Sequence, residues 1–131
     1  MKNIPDSKLG QLYRTHIELI LKKDIDALLA QYSPDGLLIS SFEKTPKYFR
    51  GRDELRVHFE GILGIDGLDT EIAFWAETEN PTTLMIVEAI TMQAGGSEAK
   101  MRFADSWVFD ENGLIKIHFA GMTQYPDGTV A

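Results

Sequence analysis

The sequence predicts an α+β fold in which helices cover one face of a mainly antiparallel β-sheet. Three helical patterns and one short strand pattern occupy the first half of the chain, and four strand patterns follow one another in the second half. Helices followed by consecutive strands are typical of the α+β class. With 131 residues the chain has the length of one domain, and a domain of that size buries roughly two-thirds of its unfolded surface. We therefore expect residues 1–131 to form a single domain with one core.

The first helical pattern places a histidine on an apolar face. Apolar residues recur every three or four positions over residues 7–23, which predicts an amphipathic helix. Its buried face includes Tyr13, His16 and Ile17. A histidine in this position is either a hydrogen-bonded core residue or, if a carboxylate faces it, a catalytic group. His16 is therefore a candidate site residue.

Two shorter helices are expected next. Asp24 can cap a helix over residues 25–32, and the Ser-Pro-Asp-Gly sequence after it is a turn signal. A third helix starts at residue 51 with acidic residues in its first turn, as the helix dipole favours, and ends near residue 63. It buries Phe59 and leaves His58 towards solvent.

Two segments before the last three strands are assigned from shorter patterns. Residues 36–42 are expected as a short strand with Ser40 on one face, and residues 43–51 as a loop. Alternation over residues 69–79 predicts a strand that carries Phe74 on its apolar phase.

Two carboxylates fall within apolar strand patterns. Residues 83–93 are apolar on both faces around Glu88, which predicts a central strand covered on both sides. In residues 100–109, Asp105 shares the apolar phase with the following residues: Met101, Phe103, Trp107 and Phe109. Aspartate is costly to bury unless it is paired, and apolar surroundings raise its pKa. Asp105 is either an acid or base in a pocket, or a structural residue bonded to a loop or at a wet sheet edge.

The register of the next turn decides whether a histidine joins Asp105. Residues 110–113 are a turn signal, and the strand that follows runs to Met122, so a hairpin is expected. A loop of two residues puts His118 on the same face as Asp105 in either of its registers, because opposed residues share a face. A loop of three residues puts His118 on the other face.

Composition excludes several classes of function. The net charge of −7 opposes binding to nucleic acid, and no basic stripe is present. The absence of cysteine excludes disulfides and thiolate chemistry. No phosphate-binding glycine loop or metal-binding motif occurs, so we expect no cofactor and no metal. No segment approaches the ~20 apolar residues of a membrane span, and the N-terminal residues lack an apolar signal core. We therefore expect a cytoplasmic protein that does not bind membranes.

Several short runs carry a resemblance to a known family. They are Tyr13-Arg-Thr-His16, Lys23-Asp24-Ile-Asp-Ala-Leu-Leu, Tyr32-Ser-Pro-Asp35-Gly, Arg50-Gly51-Arg52-Asp53-Glu-Leu, and Asp105-Ser-Trp107-Val-Phe109 followed by Asn112-Gly113-Leu-Ile. Their order and spacing resemble the nuclear transport factor 2-like superfamily, particularly its SnoaL-like branch. The resemblance implies a cystatin-like α+β roll, in which a strongly curved, mixed or antiparallel sheet wraps around the helices as a cone with an internal apolar pocket. It also implies a homodimer through the convex sheet face, where we expect Trp75, Met85, Val87 and Val108.

The same resemblance suggests roles for individual residues. Members include ketosteroid isomerases, polyketide cyclases, scytalone dehydratases, limonene epoxide hydrolases and proteins without catalysis. The tyrosine of the isomerase pattern falls on His16, its base on Ser40 and its hydrogen-bonding aspartate on Asp105. Because Ser40 cannot abstract a carbon-bound proton, steroid isomerisation by that mechanism is not expected. Aspartate–histidine pairs recur in cyclase and dehydratase members, and His118 falls on the cavity wall.

The leading hypothesis is a pocket that accepts a small apolar organic molecule and moves a proton next to its carbonyl group. Asp105 would hold His118 or His16 in one tautomer, and these three residues are the candidate catalytic group. The candidate ligand-binding residues are Tyr13, Ile17, Ser40, Phe59, Phe74, Glu88, Phe103, Trp107 and Met122. The alternative is a non-enzymatic ligand-binding or dimerisation module of the same fold.

Overall fold

A computed structural model describes residues 1–42 and 44–131, and within them three helices lie against a six-stranded sheet. The helices are α1 (Lys8–Lys22), α2 (Ile25–Ala30) and α3 (Gly51–Gly61). The strands are β1 (Tyr32–Ser40), β2 (Lys47–Arg50), β3 (Asp66–Thr78), β4 (Thr83–Ala94), β5 (Ser97–Phe109) and β6 (Ile115–Gln124). The strand order is β2-β1-β6-β5-β4-β3, antiparallel throughout except for the parallel pair β1–β6. The sheet is curved and does not close, which confirms the predicted fold class.

Helix α1 forms as its pattern predicts. Ser7 Oγ accepts the backbone N–H of Gly10 at 3.0 Å and so caps the first turn. Lys23 ends the helix in the left-handed conformation. The buried face carries Tyr13, His16 and Ile17 towards the sheet.

Helix α2 is shorter than predicted, because Tyr32 belongs to β1. Pro34 disfavours helical conformation in the residue before it, so the helix ends ahead of Ser33. Tyr32 pairs with Ile115 and Leu37 pairs with Ile117, so four residues of β1 oppose a single residue of β6. The segment assigned to a turn is therefore an irregular part of a strand.

The predicted loop over residues 43–51 is wrong in part, since residues 47–50 form the edge strand β2. This strand pairs with β1, with Tyr48 opposite Ile39. Glu43 lies outside the described residues. Tyr48 is 65% exposed, whereas Phe49 packs against the core and against the ring of His58.

A β-bulge in β3 reverses the predicted faces of two aromatic residues. Ile72 pairs with Glu88 and Phe74 pairs with Val87, so Ala73 is an extra residue. Side chains that alternate up to Ile72 change phase beyond it. Phe74 is 53% exposed on the outer face, and its prediction as a pocket residue is wrong. Trp75 turns inward instead, with its ring 5.7 Å from that of Tyr13, so its assignment to the outer face is also wrong.

A second bulge sets the face of His118. Asp110 N–H donates to Leu114 O at 2.8 Å, which closes a loop of three residues rather than two. That register alone would turn His118 outward. Phe109 pairs with Ile115 while Val108 pairs with Ile117, so the extra residue between them restores the phase. Asp105 consequently lies opposite Ala120, and His118 shares its face as expected.

The core lies between the helices and the concave face of the sheet. Its largest cluster joins the buried faces of α1 and α3 to β4, β5 and β6 through Tyr13, Phe59 and Trp107. A second cluster near the ends of β4 and β5 contains Met92, Met101 and their neighbours. Among the described residues, no helix is long and apolar enough to span a bilayer.

Candidate active site

A cavity of about 110 Å³ opens between α1, α3 and the concave face of the sheet. Its walls are mostly apolar and aromatic. Ten of the twelve predicted site residues line it: Tyr13, His16, Ile17, Ser40, Phe59, Glu88, Phe103, Asp105, Trp107 and His118. Phe74 lies outside because of the bulge in β3. Met122 is buried in the second core cluster beside Phe103 and does not line the cavity.

A wider depression of about 310 Å³ adjoins this cavity. The two share four lining residues, which are Ser40, Phe42, His58 and Ile62. We call them the inner chamber and the outer chamber. The prediction that His58 faces solvent is wrong, because its ring packs against Phe49 and Phe59 where the chambers meet.

The polar end of the inner chamber is a row of polar groups contributed by four elements, α1, β4, β5 and β6. Tyr13 Oη on α1 donates to Glu88 Oε2 on β4. The Glu88 and Asp105 side chains are diagonal neighbours on β4 and β5, and each shifts the pKa of the other. The backbone N–H of Gly121 on β6 donates to Asp105 Oδ1 at 3.2 Å. Both carboxyl side chains are buried and line the inner chamber.

His118 is oriented by Tyr32 rather than by Asp105. Tyr32 Oη lies 2.8 Å from His118 Nδ1, its one hydrogen-bond contact within the described residues. A buried phenol without an acceptor loses free energy, so Tyr32 donates this bond and the proton of the neutral ring is on Nε2. His118 Nε2 lies 3.7 Å from Asp105 Oδ2, too far for a hydrogen bond, and has no other partner in the described part of the chain. One N–H donor is thus available beside Asp105.

His16 has a partner of its own. His16 Nδ1 lies 2.9 Å from Gln31 Oε1, an acceptor, so Nδ1 carries the proton. The ring packs edge-on against Trp107, at a centroid distance of 4.8 Å. Of the two histidines, His118 is the one that approaches Asp105.

Burial controls the protonation of the whole cluster. Loss of solvation raises the pKa of Asp105 to about 7, although hydrogen bonds from Glu88 and Gly121 act in the opposite direction. Loss of solvation, and then the Asp105 charge, raise the pKa of Glu88 well above its usual range. Burial lowers the pKa of His16 and of His118 to about 3, so both rings are neutral at neutral pH. Asp105 is the group poised to gain or lose a proton there.

Gln31, Tyr32 and His58 complete the site, and the sequence did not reveal them. Gln31 and Tyr32 were expected in α2, whereas the chain leaves the helix before them and turns them towards the histidines. The sequence offered one signal for His58: the aromatic pair Tyr48-Phe49 in a segment expected to be a loop. Phe49 lines the outer chamber, where its ring contacts that of His58. Within residues 1–42 and 44–131, no group of three or more acidic or histidine side chains is arranged to hold a metal ion.

A family profile for the SnoaL-like domain matches residues 13–118 of this chain. This range includes every candidate catalytic residue. No curated protein gives a significant match.

Solved structures of three proteins share the fold at low sequence identity. An epoxide hydrolase/cyclase-like enzyme, SalBIII, involved in pyran ring formation in the polyether salinomycin, is 12% identical with a TM-score of 0.70, covering 86% of this chain and 88% of its own. A protein of Shewanella putrefaciens described as a SnoaL-like polyketide cyclase is 12% identical with a TM-score of 0.73, covering 88% and 80%. A protein of Xanthomonas campestris described as a calcium/calmodulin dependent protein kinase II association domain is 16% identical with a TM-score of 0.77, covering 92% and 91%. At these identities the similarity establishes the fold.

Proposed function

This chain belongs to the SnoaL-like domain family, whose members include polyketide cyclases and isomerases, and we propose that it is a cofactor-independent enzyme that moves a proton next to a carbonyl group. The observation that carries the proposal is Asp105, a buried carboxyl whose pKa is raised to about 7 at the end of an apolar cavity. A base whose pKa lies near the working pH is most effective in proton transfer. His118 supplies a donor beside it.

The proposed reaction begins at the carbon next to the carbonyl. Its C–H bond breaks, the proton joins the ionised Asp105 carboxyl, and the electron pair moves to the carbonyl oxygen as an enolate. The neutral His118 ring donates its Nε2 proton as a hydrogen bond to that oxygen, where the negative charge develops. If the enolate is conjugated with a carbon–carbon double bond, return of the proton from Asp105 to the far end of that system gives an isomer. Attack of the enolate on a second carbonyl gives an aldol cyclisation, with the Asp105 proton passing to the new alkoxide. Loss of a β-hydroxyl, which takes the Asp105 proton and leaves as water, gives a dehydration.

The proposed roles of the two histidines differ. His118 approaches Asp105, whereas His16 is bonded to Gln31 and packs on Trp107. With a pKa of about 3, neither ring is a strong base. In this proposal His118 is a hydrogen-bond donor to substrate and His16 forms the chamber wall.

The volumes of the chambers favour a substrate with a compact reactive head. An apolar cavity of ~150 Å³ holds a molecule the size of benzene, and the inner chamber has about 110 Å³. The carbonyl-bearing part would occupy this chamber, and the remainder would extend past Phe42 and His58 into the outer chamber.

Hydrogen–deuterium exchange tests the proton transfer without a known product. A panel of cyclic ketones and cyclic β-diketones is incubated with the protein in deuterated water, and exchange next to the carbonyl is followed by proton NMR. We expect the wild type to accelerate exchange of at least one compound. Asp105→Asn should lose at least ~10²-fold of that rate, and His118→Ala about 10²-fold because a donor to the enolate oxygen is removed.

Glu71→Gln, on the exposed side of β3, is the matched control and should exchange as the wild type does. Full exchange by both Asp105→Asn and His118→Ala would exclude the mechanism.

A non-enzymatic association module is the second candidate function. The similarity to a protein described as an association domain favours it, as does the bond that satisfies His16 internally. This candidate predicts a stable assembly of the wild type with no exchange above the uncatalysed rate for any compound.

A further inference from the structure

We propose that Glu88 shares one proton with Asp105, so that the two carboxyl groups work as a pair with Tyr13 fixing the geometry. Glu88 would be a positioning residue, since it acts on the reaction through Asp105. The catalytic consequence rests on the proposed function above. The proton sharing itself does not, and can be measured without a substrate.

The strand register brings the two carboxyl groups together. Glu88 on β4 lies opposite Phe103, and Asp105 on β5 lies opposite Ile86. Glu88 and Asp105 are therefore diagonal neighbours on the concave face, a separation that long side chains bridge. Both are buried, and Glu88 is 5% exposed.

The contacts require a proton between them. An ionised carboxylate only accepts hydrogen bonds, so two carboxyl groups can bond to each other only if one of them is protonated. Glu88 and Asp105 are buried diagonal neighbours on adjacent strands, line the same chamber and lie close enough for each to shift the pKa of the other. A shared proton is the arrangement that lets the two carboxyl groups face each other there. Tyr13 donates to Glu88 Oε2 and thereby leaves the other Glu88 oxygen to carry the proton towards Asp105.

The surroundings assign the charge to Asp105. Asp105 Oδ1 accepts a backbone N–H from Gly121 at 3.2 Å in addition to the bond from Glu88, and both bonds favour its ionised form. The bond from Tyr13 favours the ionised form of Glu88, but loss of solvation and the Asp105 charge outweigh it and raise the pKa of Glu88 well above its usual range, whereas the pKa of Asp105 is raised to about 7. Glu88 therefore holds the proton and Asp105 holds the negative charge.

No cation faces the pair from the described residues that line the chamber. The titratable groups that face it are Tyr13 and His16 on α1, Tyr32 on β1, His58 on α3 and His118 on β6. Burial raises the pKa of both tyrosines and lowers the pKa of His16 and His118 to about 3 and of His58 to about 4, so all five are neutral at neutral pH. A second negative charge beside Asp105 would be uncompensated, as in other buried carboxylate pairs.

The pair would keep Asp105 available as a base. Without the donor from Glu88, burial alone would keep Asp105 protonated to a higher pH. With it, Asp105 is ionised near neutral pH and can receive the proton from the substrate carbon. The pair then holds two protons until Asp105 returns one.

Carbon-13 NMR of the side-chain carboxyl carbons tests the shared proton, from about pH 4 to about pH 9. In the wild type we expect Glu88 to remain protonated at pH 7 and its signal to respond when Asp105 titrates. In Glu88→Gln, the amide still accepts from Tyr13 and donates to Asp105, so Asp105 should titrate alone in a single step. In Glu88→Leu the donor is lost, and the Asp105 titration should move to higher pH by on the order of one unit.

Glu71→Gln is again the matched control and should leave both signals unchanged. An ionised Glu88 at pH 7 in the wild type would overturn the proposal, and that measurement needs no variant to fold. An Asp105 titration at the same pH in Glu88→Leu and wild type would overturn it as well.

The exchange reaction separates this proposal from the proposed function. If both hold, the acid side of the pH–rate profile moves upward in Glu88→Leu together with the Asp105 titration. If Asp105→Asn exchanges at the wild-type rate, the proposed function fails while the NMR result still decides the shared proton.

Discussion

At the scale of single residues, the burial that would suit Asp105 to proton transfer also makes its ionisation unfavourable for folding. Its burial raises the pKa from 3.8 to about 7, so the folded protein resists ionising the group that the proposed reaction uses. A group with a raised folded pKa contributes stability below its unfolded pKa and loses it as the pH rises through the folded pKa. The ionisation of Asp105 therefore lowers the free energy of unfolding at the pH at which the residue would be active.

Asp105→Asn should remove this penalty, because the amide has the same shape and does not ionise. The variant should gain stability over the wild type between about pH 4 and about pH 7, by at most ~1.4 kcal/mol per pH unit. Urea denaturation at a series of pH values measures the difference. Because the pKa values of His16 and His118 are lowered to about 3, the folded state also becomes less stable as the pH falls below about 6.5. Both proteins contain these histidines, so this effect cancels in the difference between them.

Asn112→Ser, an exposed change in the hairpin loop, alters no titratable group, so it is the control and should differ from the wild type by a constant amount. If the free energies of unfolding of the wild type and Asp105→Asn differ by the same amount at every pH, Asp105 is freely hydrated and this account of its burial is wrong.

The inward face of Asp105 could be predicted from strand phase, because burial and alternation are both local in sequence. The partners of the histidines could not. Gln31 and Tyr32 follow a helical segment without a break in apolar pattern, and the first signal against a helix is the Ser-Pro-Asp-Gly turn that comes after them. Their contacts with His16 and His118 are long-range and depend on where β1 enters the sheet.

At the scale of elements, two bulges decide which side chains reach the cavity. A period of two identifies a strand but not an extra residue within it, so the phase after a bulge cannot be read from the pattern. Because of the bulge at Ala73, Phe74 lies on the outer face and Trp75 on the inner face, the reverse of the prediction. The bulge at Lys116 had the opposite effect, because it offset the longer loop and kept His118 beside Asp105.

Asp110 fixes the loop that precedes this second bulge. Its Oδ1 accepts the backbone N–H groups of Asn112 and Leu114, at 2.8 and 3.0 Å, and its Oδ2 accepts from Ser33 Oγ at 2.5 Å. Asp110→Ala should lower the melting temperature because three donors lose their acceptor. The side-chain bond from Ser33 lowers the pKa of Asp110, so the loss should shrink at a pH low enough to protonate the wild-type carboxyl.

Thermal unfolding followed by circular dichroism measures the Asp110→Ala effect. Glu111→Ala, exposed in the same loop, is the control and should unfold as the wild type does. Equal melting temperatures for Asp110→Ala and wild type would show that the bulge alone maintains the register.

At the scale of the whole molecule, the outer face of the sheet carries an apolar patch that is exposed among the residues the structure describes. Phe74 is 53% exposed, Phe119 44% and Met85 39%, and Val87, Val108 and Ile117 lie half-buried between them. Exposed apolar patches of this kind mark interaction surfaces. We propose that a second copy of the chain covers this face with twofold symmetry. A substitution on the face would then be present on both sides of the interface.

Phe119→Lys should convert the proposed dimer into a monomer, because it puts two like charges into the interface. Sedimentation velocity at micromolar concentration distinguishes the two states. Asn112→Lys, in the exposed hairpin loop, adds the same charge elsewhere and should leave the dimer intact. A wild type that sediments only as a monomer would exclude the interface.

The parallel pairing of β1 with β6 joins distant parts of the chain at the candidate site. Tyr32 and the histidine that it orients, His118, are 86 positions apart in sequence. Bringing them together requires closure of most of the polypeptide, and such contacts form slowly during folding. A nascent chain that has emerged only as far as β5 thus contains Asp105 without His118, and the proposed chemistry would become possible only when the final strand has docked.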